Sequence, residues 1–140
     1  MRNPAADATR WLRQAEYDLK QSERLLSDDV YSYAAFFAEQ SAQKSLKAFL
    51  ISQGARSVPI HSVGELAKRA AVLDSRFTIL VEAAGRLDRH YIVSRYPDAL
   101  PEPAIPAEAY SRADAEEAVA TARFVYEQAR QAIPGLAPGA

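Results

Sequence analysis

The sequence predicts an all-α fold: an up-and-down antiparallel bundle of four main helices plus one short helix, with a long proline-rich loop before the last helix. Apolar residues recur every three or four positions in several segments, whereas no segment alternates apolar and polar residues as a strand does. Apolar residues make up 49% of the 140 residues, which suffices for one core. We therefore expect a single domain over residues 1–140, with a core of about residues 8–133 and a flexible tail over 134–140.

The first two predicted helices are long and differ in their apolar surfaces. The first begins near Asp7 and ends near Ser27, and oppositely charged residues lie three or four apart on its polar face. Its apolar stripe comprises Ala8, Trp11, Leu12, Ala15, Leu19 and Leu26. The second covers about residues 30–53 and is apolar on several sides, so we expect it to be the central helix or to face a second subunit as well.

Cap residues mark the starts of the next two helices. Ser62 fits the N-cap of a short third helix that ends near Ala71, because Glu65 follows in the capping-box position. Asp74 or Ser75 fits the cap of a fourth helix. The apolar stripe of that fourth helix comprises Phe77, Leu80, Ala84, Leu87 and Tyr91.

Residues 92–109 interrupt the helical pattern before the last helix. A continuous helix is prevented there by Pro97, Pro101, Pro103 and Pro106. A connection of this length without secondary structure is unusual in a compact domain and is often functional. Ser111 then fits an N-cap with Asp114 in the capping-box position, and an alanine-rich helix follows until Pro134 and Gly135.

Composition and charge exclude several functional classes. The formal net charge of -1 argues against nucleic-acid binding over the whole surface, which needs a basic footprint. Cysteine is absent and His61 and His90 are the two histidines, so we expect no disulfide, no metal site and no cofactor. No apolar run is long enough for a membrane span and the first residues lack a signal sequence, so we expect a cytoplasmic protein without membrane contact.

Residues 86–98 are the strongest candidate for a functional site. Side chains that bind phosphate, stack on bases or transfer protons are concentrated there: Arg86, Arg89, His90, Tyr91, Arg95 and Tyr96. A structural interpretation competes, because basic residues near a helix C-terminus also stabilise the helix dipole. Tyr91 continues the core stripe, and Arg95 has Asp98 nearby in the sequence as an ion-pair partner. The residues alone favour the structural interpretation.

Two further groups of side chains have a functional interpretation beside a structural one. Lys44 and Lys47 lie three apart on one face of the second helix and form a second candidate phosphate contact. A solvated face shared with Glu39 is the simpler interpretation of these lysines. His61 precedes the Ser62 cap, where we expect it to hydrogen-bond the backbone rather than to take part in chemistry.

Five stretches, in their order along the chain, resemble the HEPN family. Residues 11–19 resemble the opening of the first helix, and residues 33–50 resemble the family's Gln-Ala-Glu-Lys-Ala-Leu-Lys-Ala type run. Residues 61–63, His-Ser-Val, resemble the family's His-Ser-Leu before its third helix. Residues 88–98 are similar to the Tyr-Ile-x-x-Arg-Tyr-Pro-Asp segment of one prokaryotic branch, and residues 113–118 resemble the start of the last helix.

The resemblance covers about residues 10–133 and implies a helical bundle that forms a homodimer. It also implies a minimal nucleotidyltransferase as partner protein, in a toxin–antitoxin-like or stress-related module, and the binding of a nucleotide or RNA. The side chains expected to bind nucleotide or phosphate are Arg89, Arg95, Tyr96, Lys44 and Lys47.

Many HEPN proteins are metal-independent ribonucleases, so the resemblance leaves a ribonuclease toxin open as an alternative. Their signature is an arginine followed, after four to six residues, by a histidine. Here three residues separate Arg86 from His90 and none separates Arg89 from His90, so the sequence departs from the signature. A ribonuclease would use Arg89, His90 and Tyr96, with His90 as the base. The third alternative is a dimerisation domain that binds no ligand.

Overall fold

The computed structural model describes residues 3–135, and all regular secondary structure within them is helical. The α-helices are α1 (Pro4–Ser27), α2 (Tyr31–Ser52), α3 (Val63–Leu73), α4 (Val81–Leu87), α5 (Pro106–Ala109) and α6 (Arg112–Ala132). Short 3₁₀ helices cover Ser75–Leu80, Asp88–Tyr91 and Pro97–Ala99. The predicted all-α fold is confirmed, while residues 136–140 of the predicted tail lie outside the described residues. None of the described helices has the length and hydrophobicity needed to cross a bilayer.

Helices α1 and α2 form an antiparallel hairpin across a turn at residues 28–30. Helix α1 begins at Pro4, earlier than expected, because the side chain of Asn3 accepts hydrogen bonds from two N–H groups of the first turn. The predicted apolar stripe of α1 is buried or half-buried except at Trp11, which is exposed. The ring of Trp11 instead lies beside the ammonium group of Lys47, near the end of α2.

Helix α2 is the central helix, as one of the sequence interpretations predicts. It packs against α1, α3, α6 and the 3₁₀ segment Asp88–Tyr91. Small buried side chains let these neighbours approach closely, namely Ala34, Ala35, Ala38, Ala42 and Ala48. The buried polar residues of α2 include Glu39, Gln43 and Lys47. Buried polar groups require partners inside the protein, and the partners of Glu39 and Gln43 belong to the candidate site described below.

The fourth predicted helix is not continuous, which corrects the expected fold of this region. The Asp74 side chain accepts a hydrogen bond from the N–H group of Arg76 and starts a 3₁₀ helix, after which come α4 and a second 3₁₀ segment. Helix α4 has seven residues and α3 has eleven, so α3 is not the shorter of the two. The apolar stripe still enters the core through Phe77, Leu80, Ala84 and Leu87.

Asp88 connects this region to the first turn of α3. Its carboxylate accepts hydrogen bonds from the N–H groups of Val63 and Gly64 and, at 2.8 Å, from the hydroxyl group of Ser62. These N–H groups have no partner within α3 because they belong to its first turn. Ser62 also caps α3, as predicted. Gly64 lies so close to α4 that a Cβ atom there would be 3.0 Å from the Cα atom of Gly85.

The proline-rich segment, residues 92–109, contains two short helical turns, and each of them starts at a proline. Helix α6 then begins with the predicted capping box of Ser111 and Asp114. Tyr126, in the second half of α6, donates a hydrogen bond to Glu16 in the middle of α1, whereas the start of α6 lies beside the end of α1. Helices α1 and α6 are therefore antiparallel.

Candidate functional site

The side chains of residues 86–98 are divided between two sides of the bundle. Arg86, Arg89 and His90 contact α6 or the tyrosine that precedes it. Arg95 instead lies against Phe36 in the first half of α2. The basic and aromatic residues that the sequence groups together therefore belong to two separate sets of contacts.

His90 is part of the packed interior. It is 3% exposed, and its Nδ1 atom lies 2.6 Å from the hydroxyl oxygen of Tyr110. The Ser94 hydroxyl donates to the His90 carbonyl group. Burial, assisted by the charge of Arg89, lowers the pKa of His90 to about 4, so the imidazole is neutral at neutral pH. In this arrangement the His90 imidazole serves packing and hydrogen bonding, and it is not presented at the surface for use as a base.

Arg86 and Arg89 are exposed and form ion pairs along the edge of α6. The Arg86 guanidinium lies 3.3 Å from Glu117, and the Arg89 guanidinium lies 3.7 Å from Asp114. A hydrogen bond from the N–H group of Ser111 lowers the pKa of Asp114, with Arg89 contributing less. Exposed ion pairs of this kind contribute only about 0–1 kcal/mol, so Arg89 remains available to an anionic ligand.

Arg95 is enclosed by three aromatic rings. Its guanidinium carbon lies 4.3 Å from the ring centre of Phe36 and 5.0 Å from those of Tyr91 and Tyr96. The Nε and Nη2 atoms both donate to the Tyr91 carbonyl group, with Nε at 2.9 Å. The ion pair with Asp98 that the structural interpretation expects is absent from the described residues. We call Arg95, Phe36, Tyr91 and Tyr96 the Arg95 cluster.

Lys44 and Lys47 face α1 and do not contact the Arg95 cluster within residues 3–135. The Lys44 ammonium group lies 2.6 Å from a carboxylate oxygen of Asp18, which is itself buried. Lys47 is buried beside Trp11, and burial lowers its pKa. The interpretation of a solvated face shared with Glu39 is therefore wrong, because Lys47 and Glu39 are both buried.

Glu39 is the buried acid of the central helix, and the sequence analysis assigned it no function. Its carboxylate accepts hydrogen bonds from the side-chain amides of Gln40 at 2.7 Å and Gln43 at 3.0 Å. Burial raises the pKa of Glu39 to about 7, and the charge of Asp88 adds to the rise, while the two amides and Arg95 act in the opposite direction. Polar residues four apart on one face of an otherwise apolar helix were the sequence signal for this group.

His61 is exposed and stacks on the ring of Tyr91, with 5.8 Å between ring centres and 30° between planes. Its Nδ1 atom lies 3.4 Å from the side-chain oxygen of Gln43. The expected hydrogen bond to the backbone is replaced by this side-chain contact. His61 and Arg95 therefore lie against the same ring, that of Tyr91.

Comparison with known proteins assigns this fold to a family. The sequence profile of the HEPN domain matches residues 8–132. The chain belongs to the HEPN family. This HEPN chain is 28% identical over 124 residues to a protein of Methanocaldococcus jannaschii named "Putative toxin MJ1304", and the match covers 84% of the chain and 82% of that protein.

Two solved structures resemble the HEPN chain over most of its length. TT1696 from Thermus thermophilus has a TM-score of 0.79 and 34% sequence identity, covering 89% of this chain and 97% of that chain. ST0689, described as an archaeal HEPN homologue, has a TM-score of 0.73 and 32% identity, covering 90% of this chain and 97% of that chain. The family resemblance predicted from five short stretches is thereby confirmed.

Proposed function

We propose that this HEPN chain is a nucleotide-binding module that acts with a minimal nucleotidyltransferase in a toxin–antitoxin-like or stress-related system. Membership of the HEPN family and the toxin named among its relatives support the biological setting. The nucleotide-binding part of the proposal depends on one observation, the Arg95 guanidinium held against aromatic rings at the surface.

The Arg95 cluster offers both interactions that a nucleotide needs. Two nitrogen atoms of Arg95 are bonded to the Tyr91 carbonyl group, whereas Nη1 has no hydrogen-bond partner among the described residues and is free to donate to phosphate. Tyr96 is 50% exposed and presents a ring on which a base stacks. Because its own chain already orients the guanidinium, binding loses less conformational entropy than with a free arginine.

The other predicted phosphate ligands contribute unequally to the proposed site. Arg89 is a separate phosphate contact along α6, because only an exposed ion pair with Asp114 has to open before it binds an anion. Lys44 and Lys47 lie outside the site, since Asp18 and the α1 surface already engage them.

Nucleotide titration by calorimetry tests the proposal. Wild-type protein is expected to bind ATP, and Arg95→Ala is expected to bind about tenfold or more weakly, since a charge-assisted hydrogen bond is lost. Arg86→Ala is the matched control, because Arg86 lies in the same segment but pairs with Glu82 and Glu117 outside the cluster. Absence of binding by wild-type protein for every nucleotide tried would refute the nucleotide-binding role.

The partner part of the proposal has its own test. Co-expression with a nucleotidyltransferase encoded beside the gene of this chain is expected to give a stable complex on gel filtration. Sedimentation of the chain alone is expected to give a homodimer. A chain that stays monomeric and elutes apart from every neighbouring transferase would contradict this part, whatever the titration shows.

A ribonuclease toxin is the second candidate, favoured by the toxin among the relatives. It would use His90 as the base, with Arg89 and Tyr96, yet His90 is buried and bonded to Tyr110. We therefore expect RNA to remain intact when incubated with the protein in EDTA. Cleavage that His90→Ala abolishes would replace the binding proposal with the ribonuclease.

A further inference from the structure

The exposed imidazole of this chain is His61, not His90. His90 is sealed in the interior, whereas His61 lies on the surface before α3, stacked on Tyr91. Any chemistry or ligand contact that uses an imidazole without opening the fold therefore has His61 available to it.

A hydrogen-bonded chain from α2 fixes the orientation of His61. The amide nitrogen of Gln43 donates to Glu39 at 3.0 Å, and the amide oxygen of Gln43 faces His61. An amide oxygen only accepts, so the hydrogen in the 3.4 Å contact belongs to Nδ1 of His61. The Nε2 atom is then left without a partner among the described residues. Glu39, Gln43 and His61 thus form a chain of hydrogen bonds that fixes the orientation of the imidazole ring. Metal-binding and catalytic histidines are oriented in the same way, by a hydrogen bond from their other ring nitrogen to a neighbouring group.

His61 also lies beside the proposed nucleotide site. The ring centre of Tyr91 lies 5.8 Å from that of His61 and 5.0 Å from the guanidinium carbon of Arg95. Because both groups contact the same ring, a nucleotide bound at Arg95 can direct its phosphates towards His61.

We propose that His61 belongs to the nucleotide site and donates a hydrogen bond from Nε2 to a phosphate of the bound nucleotide, with Gln43 and Glu39 as positioning residues. The inference rests on the proposed nucleotide-binding function and adds the residue that recognises phosphate beside Arg95. With Nδ1–H donated to Gln43, a hydrogen bond from Nε2 to phosphate makes both ring nitrogens donors, and the positive charge of that ring form strengthens the bond to phosphate.

The acidic groups around this site do not oppose phosphate strongly. Glu39 is buried with a pKa of about 7, so a large part of it is neutral near neutral pH. The Asp88 carboxylate accepts hydrogen bonds from the start of α3, where the helix dipole offsets its charge. Arg95 supplies a positive charge beside the Tyr91 ring.

The orientation of His61 is testable without any ligand. Long-range ¹H–¹⁵N correlation spectra of the two imidazoles report which ring nitrogen carries the hydrogen, and His61→Phe assigns the signals. Neutral His61 is expected to carry its hydrogen on Nδ1, whereas unrestrained histidine favours Nε2. Gln43→Leu should shift His61 towards the Nε2 form, and Gln40→Leu should not, because Gln40 also donates to Glu39 but makes no contact with His61. An Nε2–H form in wild-type protein, or no change in Gln43→Leu, would overturn the positioning role.

Nucleotide titration tests the phosphate contact. His61→Phe keeps the ring against Tyr91 but removes both nitrogen atoms, and it is expected to weaken ATP binding about tenfold. Affinity for adenosine, which has no phosphate, should be unchanged in His61→Phe. An RNA oligonucleotide with a 5′-phosphate, titrated in parallel, identifies whether free nucleotides or RNA ends bind more tightly.

The two proposals fail in different ways. If wild-type protein binds no nucleotide, the nucleotide-binding function fails while the spectra still report the ring orientation. If wild-type protein and His61→Phe bind ATP equally, the role of His61 fails and the nucleotide-binding function stands.

Discussion

Burial shifts the ionisation of two side chains in opposite directions. The pKa of Glu39 rises from 4.5 to about 7, so its proton is held more tightly in the folded than in the unfolded chain. The pKa of His90 falls from 6.5 to about 4, so its proton is held less tightly in the folded chain. The raised pKa of Glu39 therefore stabilises the folded state below pH 4.5, and this contribution is lost as the pH rises through 7. The lowered pKa of His90 stabilises the folded state above pH 6.5, and this contribution is lost as the pH falls through 4.

These opposite slopes give a prediction for urea unfolding between about pH 4 and about pH 8. The free energy of unfolding of wild-type protein minus that of Glu39→Gln should decrease as pH rises, by on the order of 3 kcal/mol. The same difference for His90→Gln should decrease as pH falls, by a similar amount. Subtracting the free energy of unfolding of the variant from that of wild-type protein removes the pH dependence that the other titratable groups contribute to both. A difference that stays flat with pH would show that the group in question is not buried as described.

Individual residues were predictable where their partner lies nearby in the sequence. Ser62, Asp74 and Ser111 accept hydrogen bonds from N–H groups two or three residues later, so local spacing identified them as caps. Arg95 has two partners nearby in the sequence, Tyr91 and Tyr96, but its third partner, Phe36, comes from α2. Gln43, the hydrogen-bond partner of His61, also lies on α2, so no spacing rule could name these two α2 residues. The burial of His90 was not predicted from the sequence, and its hydrogen-bond partner, Tyr110, lies 20 positions later in the chain.

At the scale of elements, α3 and α4 touch through two glycines, and these glycines should respond differently to alanine. A Cβ atom at Gly64 would meet the Gly85 backbone at 3.0 Å and the Asp88 carboxylate at 3.3 Å, whereas one at Gly85 would meet nothing within 4 Å. Gly64→Ala is therefore expected to destabilise the protein by about 1–3 kcal/mol. Gly85→Ala, the matched control, is expected to stabilise it by up to about 1 kcal/mol because alanine favours the helix.

Thermal and urea unfolding of both glycine variants check this pair of expectations. Equal effects of the two substitutions would mean that α3 and α4 are not in close contact at this point.

Most elements followed from apolar periodicity and cap residues, and the fourth helix was the exception. Its apolar stripe predicts a continuous helix, yet the segment is divided into 3₁₀, α and 3₁₀ parts. Within the first 3₁₀ part Phe77 and Leu80 are three apart, and so are Ala84 and Leu87 within α4. A spacing of three suits both helix types, so these short stretches could not be told apart from the sequence. The contact between Asp88 and the start of α3 joins polar groups that are distant in sequence, so the spacing of apolar residues could not predict it.

At the scale of the whole molecule, α6 closes the bundle against α1. The hydroxyl group of Tyr126 donates to the Glu16 carboxylate at 2.8 Å, across 110 positions of sequence. Arg123 adds an ion pair with Glu23 further along both helices. The alanine-rich face of α6 predicted close packing, but only the folded chain identifies α1 and α2 as the helices it packs against.

Tyr126→Phe should therefore loosen the bundle. Loss of the hydroxyl group leaves packing intact and is expected to lower the free energy of unfolding by about 0.5–1.5 kcal/mol. Tyr17→Phe is the control, because Tyr17 is 59% exposed and its hydroxyl group has no hydrogen-bond partner among the described residues. Chemical unfolding monitored by circular dichroism measures both variants. Equal stability of Tyr126→Phe and wild-type protein would contradict the proposed closure by this hydrogen bond.

The carboxylate of Asp88 has a consequence for chains that are cut short before it. The amides of Val63 and Gly64 depend on an acceptor that follows them by 25 and 24 positions. A chain that ends before residue 88 lacks that acceptor, so the amides at the start of α3 lose a partner that the Ser62 cap alone does not replace. One carboxylate thus ties the start of α3 to the segment that leads into Tyr91 and Arg95.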